Sequence, residues 1–191
     1  MSNMSNMSNM SYIHTQIPAE IVPYLWNIYN NKYKSDSNAF TNISFTPSIQ
    51  HRPDILDLLL KSKYIMEMYG FKFRCKDSDI IDNNKENESD EYDWLIEFHH
   101  YKINGHYEPD FARHCDDQAG LAANVNTIIF YLNKDNTIQG GNLFIDSDGI
   151  DKKIKIKSGD MIIMRGDVEH EIEPMDGNGN RMSIVVQLQR D

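Results

Sequence analysis

Apolar positions along the chain follow two rhythms, and the change between them falls near residue 94. After Pro53, the residues Ile55, Leu56, Leu59, Tyr64, Ile65 and Met68 recur at spacings near three and four, and Gly70 follows them. This pattern predicts an amphipathic helix whose apolar stripe packs on a sheet and which ends at the glycine. A second helix is expected over 17–33, with Pro18 in its first turn and a break or kink near Pro23. The stretch 76–93 is dominated by Asp, Glu, Asn and Ser, offers little to bury, and is expected to be a solvated loop.

Beyond Trp94 the chain becomes a series of short runs rich in β-branched and aromatic residues, separated by Gly, Asn, Asp and Pro. Roughly eight strands are expected, near 94–101, 111–116, 126–133, 141–146, 152–157, 160–164, 168–173 and 181–189. Turn chemistry sits between them at Gly140-Gly141, Asp148-Gly149, Ser158-Gly159-Asp160 and across 176–180. The order predicts a mainly β domain with flanking helices (α+β). Its core would be a double-stranded β-helix, the jelly roll or cupin-like arrangement, with the N-terminal helices on the major sheet. The threefold Met-Ser-Asn repeat from Met1 reads as a disordered tail over 1–12. A single domain would then fill 13–191, with helical support over 13–75, the acidic loop over 76–93 and the jelly roll over 94–191.

Composition narrows the possible functions. Nineteen basic against 29 acidic residues give a formal charge of −10, a field that repels phosphate backbones, so nucleic acid is not an expected partner. No apolar run approaches the roughly 18 residues that a membrane helix needs, and no membrane partner is expected. Two cysteines, Cys75 and Cys115, do not make a disulfide framework. With no basic leader or apolar signal region in the first residues, a reducing cytoplasmic or nuclear location is expected.

The candidate chemistry begins at His114-Cys115-Asp116. In a strand, residues i and i+2 share a face, so imidazole and carboxylate could grip one ion while Cys115 points away. Such triplets are cheap: seven His among 29 acids give roughly one by chance, and His106-Tyr107-Glu108 is a second, kept as the fallback ligand pair. His170, in a later expected strand, would supply the third ligand. Two imidazoles and a carboxylate on one side of a metal leave open positions, as non-haem Fe(II) requires to bind a co-substrate together with dioxygen. Arg181 and Ser183 share a strand face and could hold a carboxylate, provided the chain turns through 176–180 and returns beside His170. His99, His100 and His106 are read as ordinary strand and loop residues.

Over about 94–191 these pieces resemble the Fe(II)- and 2-oxoglutarate-dependent dioxygenases, in their prolyl 4-hydroxylase-like branch. The resemblance is carried by His114-x-Asp116, the run 127–133, Gly140-Gly141-Asn142-Leu143-Phe144, Ser158-Gly159-Asp160, His170 and Arg181-Met182-Ser183, in this order and spacing. It implies that His114, Asp116 and His170 are the catalytic metal ligands for Fe(2+). It further implies that Arg181 pairs with the distal carboxylate of 2-oxoglutarate, Tyr131 hydrogen-bonds to it, Tyr101 touches the carboxylate nearer the metal, and Thr127 and Ser183 line the pocket.

The implied reaction uses O2, yields succinate and carbon dioxide, and hydroxylates a peptidyl residue, proline first, with ascorbate as reductant and a protein or peptide as substrate partner. Related halogenases lack the carboxylate, so Asp116 favours hydroxylation. The 101–114 segment is about three residues longer than in many relatives, which makes Tyr107 a competitor for the role of Tyr101. An Arg replaces the Lys of collagen-type enzymes at 181, as in the oxygen-sensing prolyl hydroxylases, and this weakens the case for collagen-like substrates. Alternative readings are a hydroxylase of a free amino acid or small molecule, a catalytically silent jelly-roll binding module, and a jelly-roll metalloenzyme that does without 2-oxoglutarate. Oligomeric state is not legible.

Overall fold

The structure is a computed structural model that describes residues 11–32, 40–45, 53–74, 77, 94–109, 112–119, 124–147 and 149–191. The expected tail up to residue 10, and the expected acidic loop apart from Asp77, lie outside the described residues.

Ten strands and three helices are described. They are β1 (Tyr12–Gln16), α1 (Val22–Lys32), β2 (Phe40–Phe45), α2 (Pro53–Met68), β3 (Trp94–Tyr107), α3 (Asp116–Ala119), β4 (Val125–Lys134), β5 (Ile138–Gly140), β6 (Leu143–Ser147), β7 (Ile150–Ile154), β8 (Asp160–Arg165), β9 (His170–Ile172) and β10 (Met175–Gln189). The larger sheet runs β1-β8-β4-β10-β3-β2, with β5 pairing onto the start of β10, and the smaller runs β7-β6-β9. All pairings are antiparallel. The two sheets face each other as a jelly roll, the expected fold class.

Strand β4 shows why this half of the sequence reads as nearly continuous apolar runs. Ile128, Phe130 and Leu132 turn outward into a core shared with Leu25, Ile28, Leu58 and Leu59 of the helices. Ile129 and Tyr131 turn inward, against Leu143, Ile145 and Ile162. Period-two alternation is present, but both faces are covered, so both are apolar.

Several expectations are corrected. The first helix starts at Val22, not at 17, and Pro23 does not break it: in the first turn a missing N–H costs no hydrogen bond. The preceding residues form β1, which adds an edge to β8. In α2 the buried stripe is Ile55, Leu58, Leu59, Ser62, Ile65 and Met66, while Tyr64 and Met68 are exposed. The helix does stop at Gly70 (φ +87°), where the Tyr69 and Gly70 amides turn back to Met66 and Glu67. The strand expected over 111–116 is, among the described residues, a single bridge at His114 followed by α3. The turn expected over 176–180 is strand: β10 begins at Met175 and pairs with β3 as far as Tyr107. Gly177 permits this, because its φ is +117° and a side chain there would meet the Thr137 carbonyl at 2.2 Å.

Candidate active site

The inner faces of the two sheets enclose a pocket of about 600 Å³, counting its open mouth. At one end stand His114, Asp116 and His170, whose potential ligand atoms all lie within 4.8 Å of one another. The two histidines form an antiparallel bridge, His114 N–H to His170 O at 3.0 Å and His170 N–H to His114 O at 2.9 Å, which extends the smaller sheet by one residue. Asp116 opens α3, so it reaches the histidines through a change of backbone direction and not through strand alternation. Cys115 between them points elsewhere, its Sγ 3.5 Å from the Asp167 carbonyl.

Hydrogen bonds fix the chemistry of this donor set. His114 Nδ1 is 2.9 Å from the Ala112 carbonyl and His170 Nδ1 is 3.0 Å from the Val168 carbonyl. A carbonyl can only accept, so both Nδ1 atoms carry hydrogen and each ring turns its Nε2 toward Asp116. Each Nε2 lies 3.7 Å from Asp116 Oδ1, too far for a hydrogen bond and suited to sharing one cation. The other carboxylate oxygen, Oδ2, accepts from the Thr127 hydroxyl. Burial would raise the Asp116 carboxyl, but His114, His170 and Thr127 outweigh it and hold it below its usual range. Burial lowers His170, keeping it neutral and able to ligate, whereas the Asp116 carboxylate raises the more open His114.

Deeper in the pocket Arg181 is 1% exposed, and none of its three guanidinium nitrogens has a hydrogen-bond partner among the described residues. Its Cζ sits 5.0 Å from the Tyr131 ring centroid and 5.4 Å from that of Tyr101. Two aromatic faces offset only part of the cost of burying such a charge, so the geometry calls for an anion. Burial pushes the Tyr131 phenol up to about 12 against the pull of the Arg181 charge, which leaves it protonated and able to donate. Strand register places Ser183 opposite Tyr131, and both line the pocket with Thr127.

Not every expected residue joins this set. Tyr101 is buried behind the pocket wall with its hydroxyl 3.2 Å from His99 Nδ1, and Tyr107 packs edge-on against its ring at 5.6 Å. His106 and Glu108 lie at the exposed end of β3 beside Asp176, away from the pocket. Arg181 does not return beside His170, because β9 belongs to the smaller sheet and β10 to the larger. The two residues face across the interior.

The sequence reading missed Glu97, His99 and Gln187, which line the pocket. His99 is not an ordinary strand residue: it is buried, with Nε2 3.1 Å from Glu97 Oε2. Alternation from Tyr101 would have found it, since 97, 99 and 101 share one strand face. His100, on the opposite face, contacts Asn180 and the Tyr29 ring.

A jelly roll that brings two imidazoles and a carboxylate together, with a lone buried guanidinium farther in, has the framework of a non-haem iron oxygenase with an anionic co-substrate. Residues 96–188 match the model of the 2OG-Fe(II) oxygenase superfamily, so this part of the chain is a domain of that superfamily. The family implies Fe(2+), 2-oxoglutarate and O2 as reagents.

No curated protein matches the sequence. Among solved structures the chain is similar to a Pseudomonas putida prolyl-4-hydroxylase, at 14% identity and TM-score 0.57 over 97% of this chain and 95% of that one. It is also similar to IDO from Bacillus thuringiensis, at 13% identity and TM-score 0.55 over 94% and 92%. A third is the Trichoplax adhaerens prolyl hydroxylase in complex with a hypoxia inducible factor peptide fragment, at 14% identity and TM-score 0.53 over 96% and 86%. At these identities the likeness is one of fold. Among the described residues no helix is long and apolar enough to cross a membrane.

Proposed function

We propose that the chain is an Fe(II)- and 2-oxoglutarate-dependent hydroxylase of a peptidyl residue, with proline as the first candidate. The observation that carries this reading is the unpartnered Arg181 guanidinium buried in the same pocket as the His114, Asp116 and His170 donors. A small diacid fits both ends: one carboxylate neutralises the buried arginine and the other end reaches the metal position. His114 Nε2, His170 Nε2 and one Asp116 oxygen would hold the iron. Bound there, iron supplies the redox chemistry by which O2 and 2-oxoglutarate become succinate and carbon dioxide as one oxygen atom enters a substrate C–H bond.

The protein's own contribution is placement. Thr127 holds the outer oxygen of Asp116, and the carbonyls of Ala112 and Val168 hold the two rings. Arg181 and Tyr131 seat the distal carboxylate, with Ser183 beside them. Ile129, Leu143, Ile172 and Val185 line the cavity and exclude water from the reacting end.

The peptide substrate is proposed from the prolyl hydroxylases among the similar folds, and ascorbate would serve as reductant. Anaerobic Fe(II) titration with 2-oxoglutarate should give a metal-to-ligand absorbance, and turnover with O2 should release succinate. Wild-type protein that shows neither, or a His170→Ala variant that keeps turnover, would overturn the proposal. A gain of one oxygen on an incubated peptide, read by mass spectrometry, would identify the residue modified.

A further inference from the structure

We propose that Gln187 and Glu97 select the primary substrate by accepting hydrogen bonds from a positively charged side chain, of the lysine or arginine type, next to the peptidyl residue that is hydroxylated. The inference deepens the proposed reading of this pocket as that of a peptidyl hydroxylase, and rests on it. Strand register places both residues. Gln187 on β10 is paired with Thr127 of β4 on one side and with Leu95 of β3 on the other. Thr127 is the residue that holds Asp116, so Gln187 stands at the metal end of the pocket. Glu97 follows Leu95 by two residues on the same face of β3 and is therefore diagonal to Gln187. Such neighbours stand about 7–8 Å apart, close enough for one ammonium or guanidinium to meet both side chains. Both line the pocket.

Gln187 is 5% exposed, and its Oε1 has no hydrogen-bond partner among the described residues. An amide oxygen buried in this way costs free energy that a donor on a ligand recovers. The diacid 2-oxoglutarate offers only acceptors, so the donor belongs to the primary substrate. A prolyl nitrogen within a peptide carries no hydrogen, so the donor sits on a neighbouring residue.

Glu97 sets the charge of that donor. Its side chain is 23% exposed and that of His114 26%, and among the described residues lining the pocket only these two and Ile172 are not buried. A substrate therefore enters between Glu97 and His114. One oxygen of Glu97 accepts from His99 Nε2 at 3.1 Å, which fixes the direction of the carboxylate. In the loaded site the charges of iron and Arg181 are matched by Asp116 and the diacid, and Glu97 is the surplus that an entering group meets. It favours a cation, as does the net charge of −10 on the whole chain.

Calorimetry of peptide binding to the protein loaded anaerobically with Fe(II) and 2-oxoglutarate tests this. The probes are alanine-rich peptides holding one proline flanked by Lys, by norleucine or by Glu, together with free proline. Wild type should bind the Lys peptide about tenfold more tightly than the norleucine peptide, and the Glu peptide least. Glu97→Gln should lose most of the preference for Lys over Glu, and Glu97→Lys should reverse it. Gln187→Leu, which keeps the bulk and removes the acceptor, should narrow the ratio of Lys to norleucine peptide. Each readout is a ratio within one variant, so a change in stability or metal loading does not move it. A preference that is missing in wild type, or that persists undiminished in the Glu97 or Gln187 variants, overturns the inference alone. So does free proline that binds more tightly than the Lys peptide. Wild type that binds 2-oxoglutarate but none of the peptides overturns the peptidyl reading and the inference with it, and wild type that does not bind 2-oxoglutarate overturns the reading of the pocket itself.

Discussion

Asp116 accepts a hydrogen bond from the hydroxyl of Thr127 through the carboxylate oxygen that faces away from both imidazoles. The contact joins α3, which carries the carboxylate, to β4, whose backbone is locked between β8 and β10. It aims Oδ1 at the point where the two Nε2 lone pairs converge. Thr127→Val keeps the shape and removes the donor. Iron affinity should fall about tenfold to a hundredfold, the usual cost of losing a hydrogen bond behind a ligand, with little change in Tm. Anaerobic Fe(II) titration followed by the absorbance of the 2-oxoglutarate complex measures it.

Arg181 should trade stability against binding. Its guanidinium is buried without a hydrogen-bond partner among the described residues, so the fold bears a charge whose counterpart would arrive with the ligand. Arg181→Met should leave Tm unchanged or raise it, while the KM for 2-oxoglutarate rises about a hundredfold, corresponding to a charged hydrogen bond of ~2–3 kcal/mol. In wild type, 2-oxoglutarate should raise Tm in the presence of Fe(II), and in Arg181→Met that rise should be lost. Thermal melts with and without co-substrate check both.

How much of this was legible in the sequence can be argued residue by residue. Tyr131 and Arg181 lie in or beside apolar runs that read as buried strands, and His170 lies in an expected strand, whereas His114 and Asp116 stood out only as a His-x-Asp triplet whose order and spacing with the others resemble the family pattern. The direction of the Asp116 side chain was not legible. Strand alternation predicts it correctly by accident, since the backbone at 116 has already turned into α3. The start of β10 looked like a turn because Gly177 and Gly179 are there. Both have positive φ and lie against 135–137, a close approach known only once the partner is in place. Strand β1 reads weakly because it is an edge: its residues are partly exposed, and its fit comes from pairing with β8 and from the His14 and Gln16 contacts to Asp160. His99 was discounted because a lone histidine in a strand is usually structural, and only the register shows which histidine of the His99-His100 pair faces inward.

Acid should loosen the deep end of the jelly roll through Asp135. Its carboxylate accepts from the Asn133 side chain at 2.8 Å and from the Asn180 backbone amide at 2.7 Å, next to Arg181 in sequence. The Asn133 amide, then the Asn180 backbone, hold the carboxyl below its usual range in the folded protein. A folded value below the unfolded one, about 3.9, means stabilisation that is complete above the unfolded value and lost as pH falls through the folded one. Asp135→Asn should therefore melt below wild type at pH 7, and the two Tm values should converge as pH falls below the unfolded value. Paired melts across that range decide it.

Gly166 offers a way to separate the metal site from the fold. Its amide donates to the Val125 carbonyl at 2.8 Å and its carbonyl accepts from the Asp117 amide at 3.0 Å, so it lies directly under the first turn of α3. A Cβ built there would stand 2.3 Å from Asp117 Oδ1 and 2.8 Å from the Val125 carbonyl. The Asp117 carboxylate cannot simply yield, because it accepts from the Val125 amide at 2.8 Å and from Arg190 at 2.9 Å. Relief must come from movement of α3, which carries Asp116 away from the two imidazoles. A shift of even half an ångström spoils a site that needs all three donors at about 2.1 Å from one ion. Gly166→Ala should thus lose Fe(II) binding by more than tenfold while costing ~1–3 kcal/mol in denaturant unfolding, the ordinary penalty for overpacking. A variant that binds iron as wild type does would show that α3 does not set the position of Asp116.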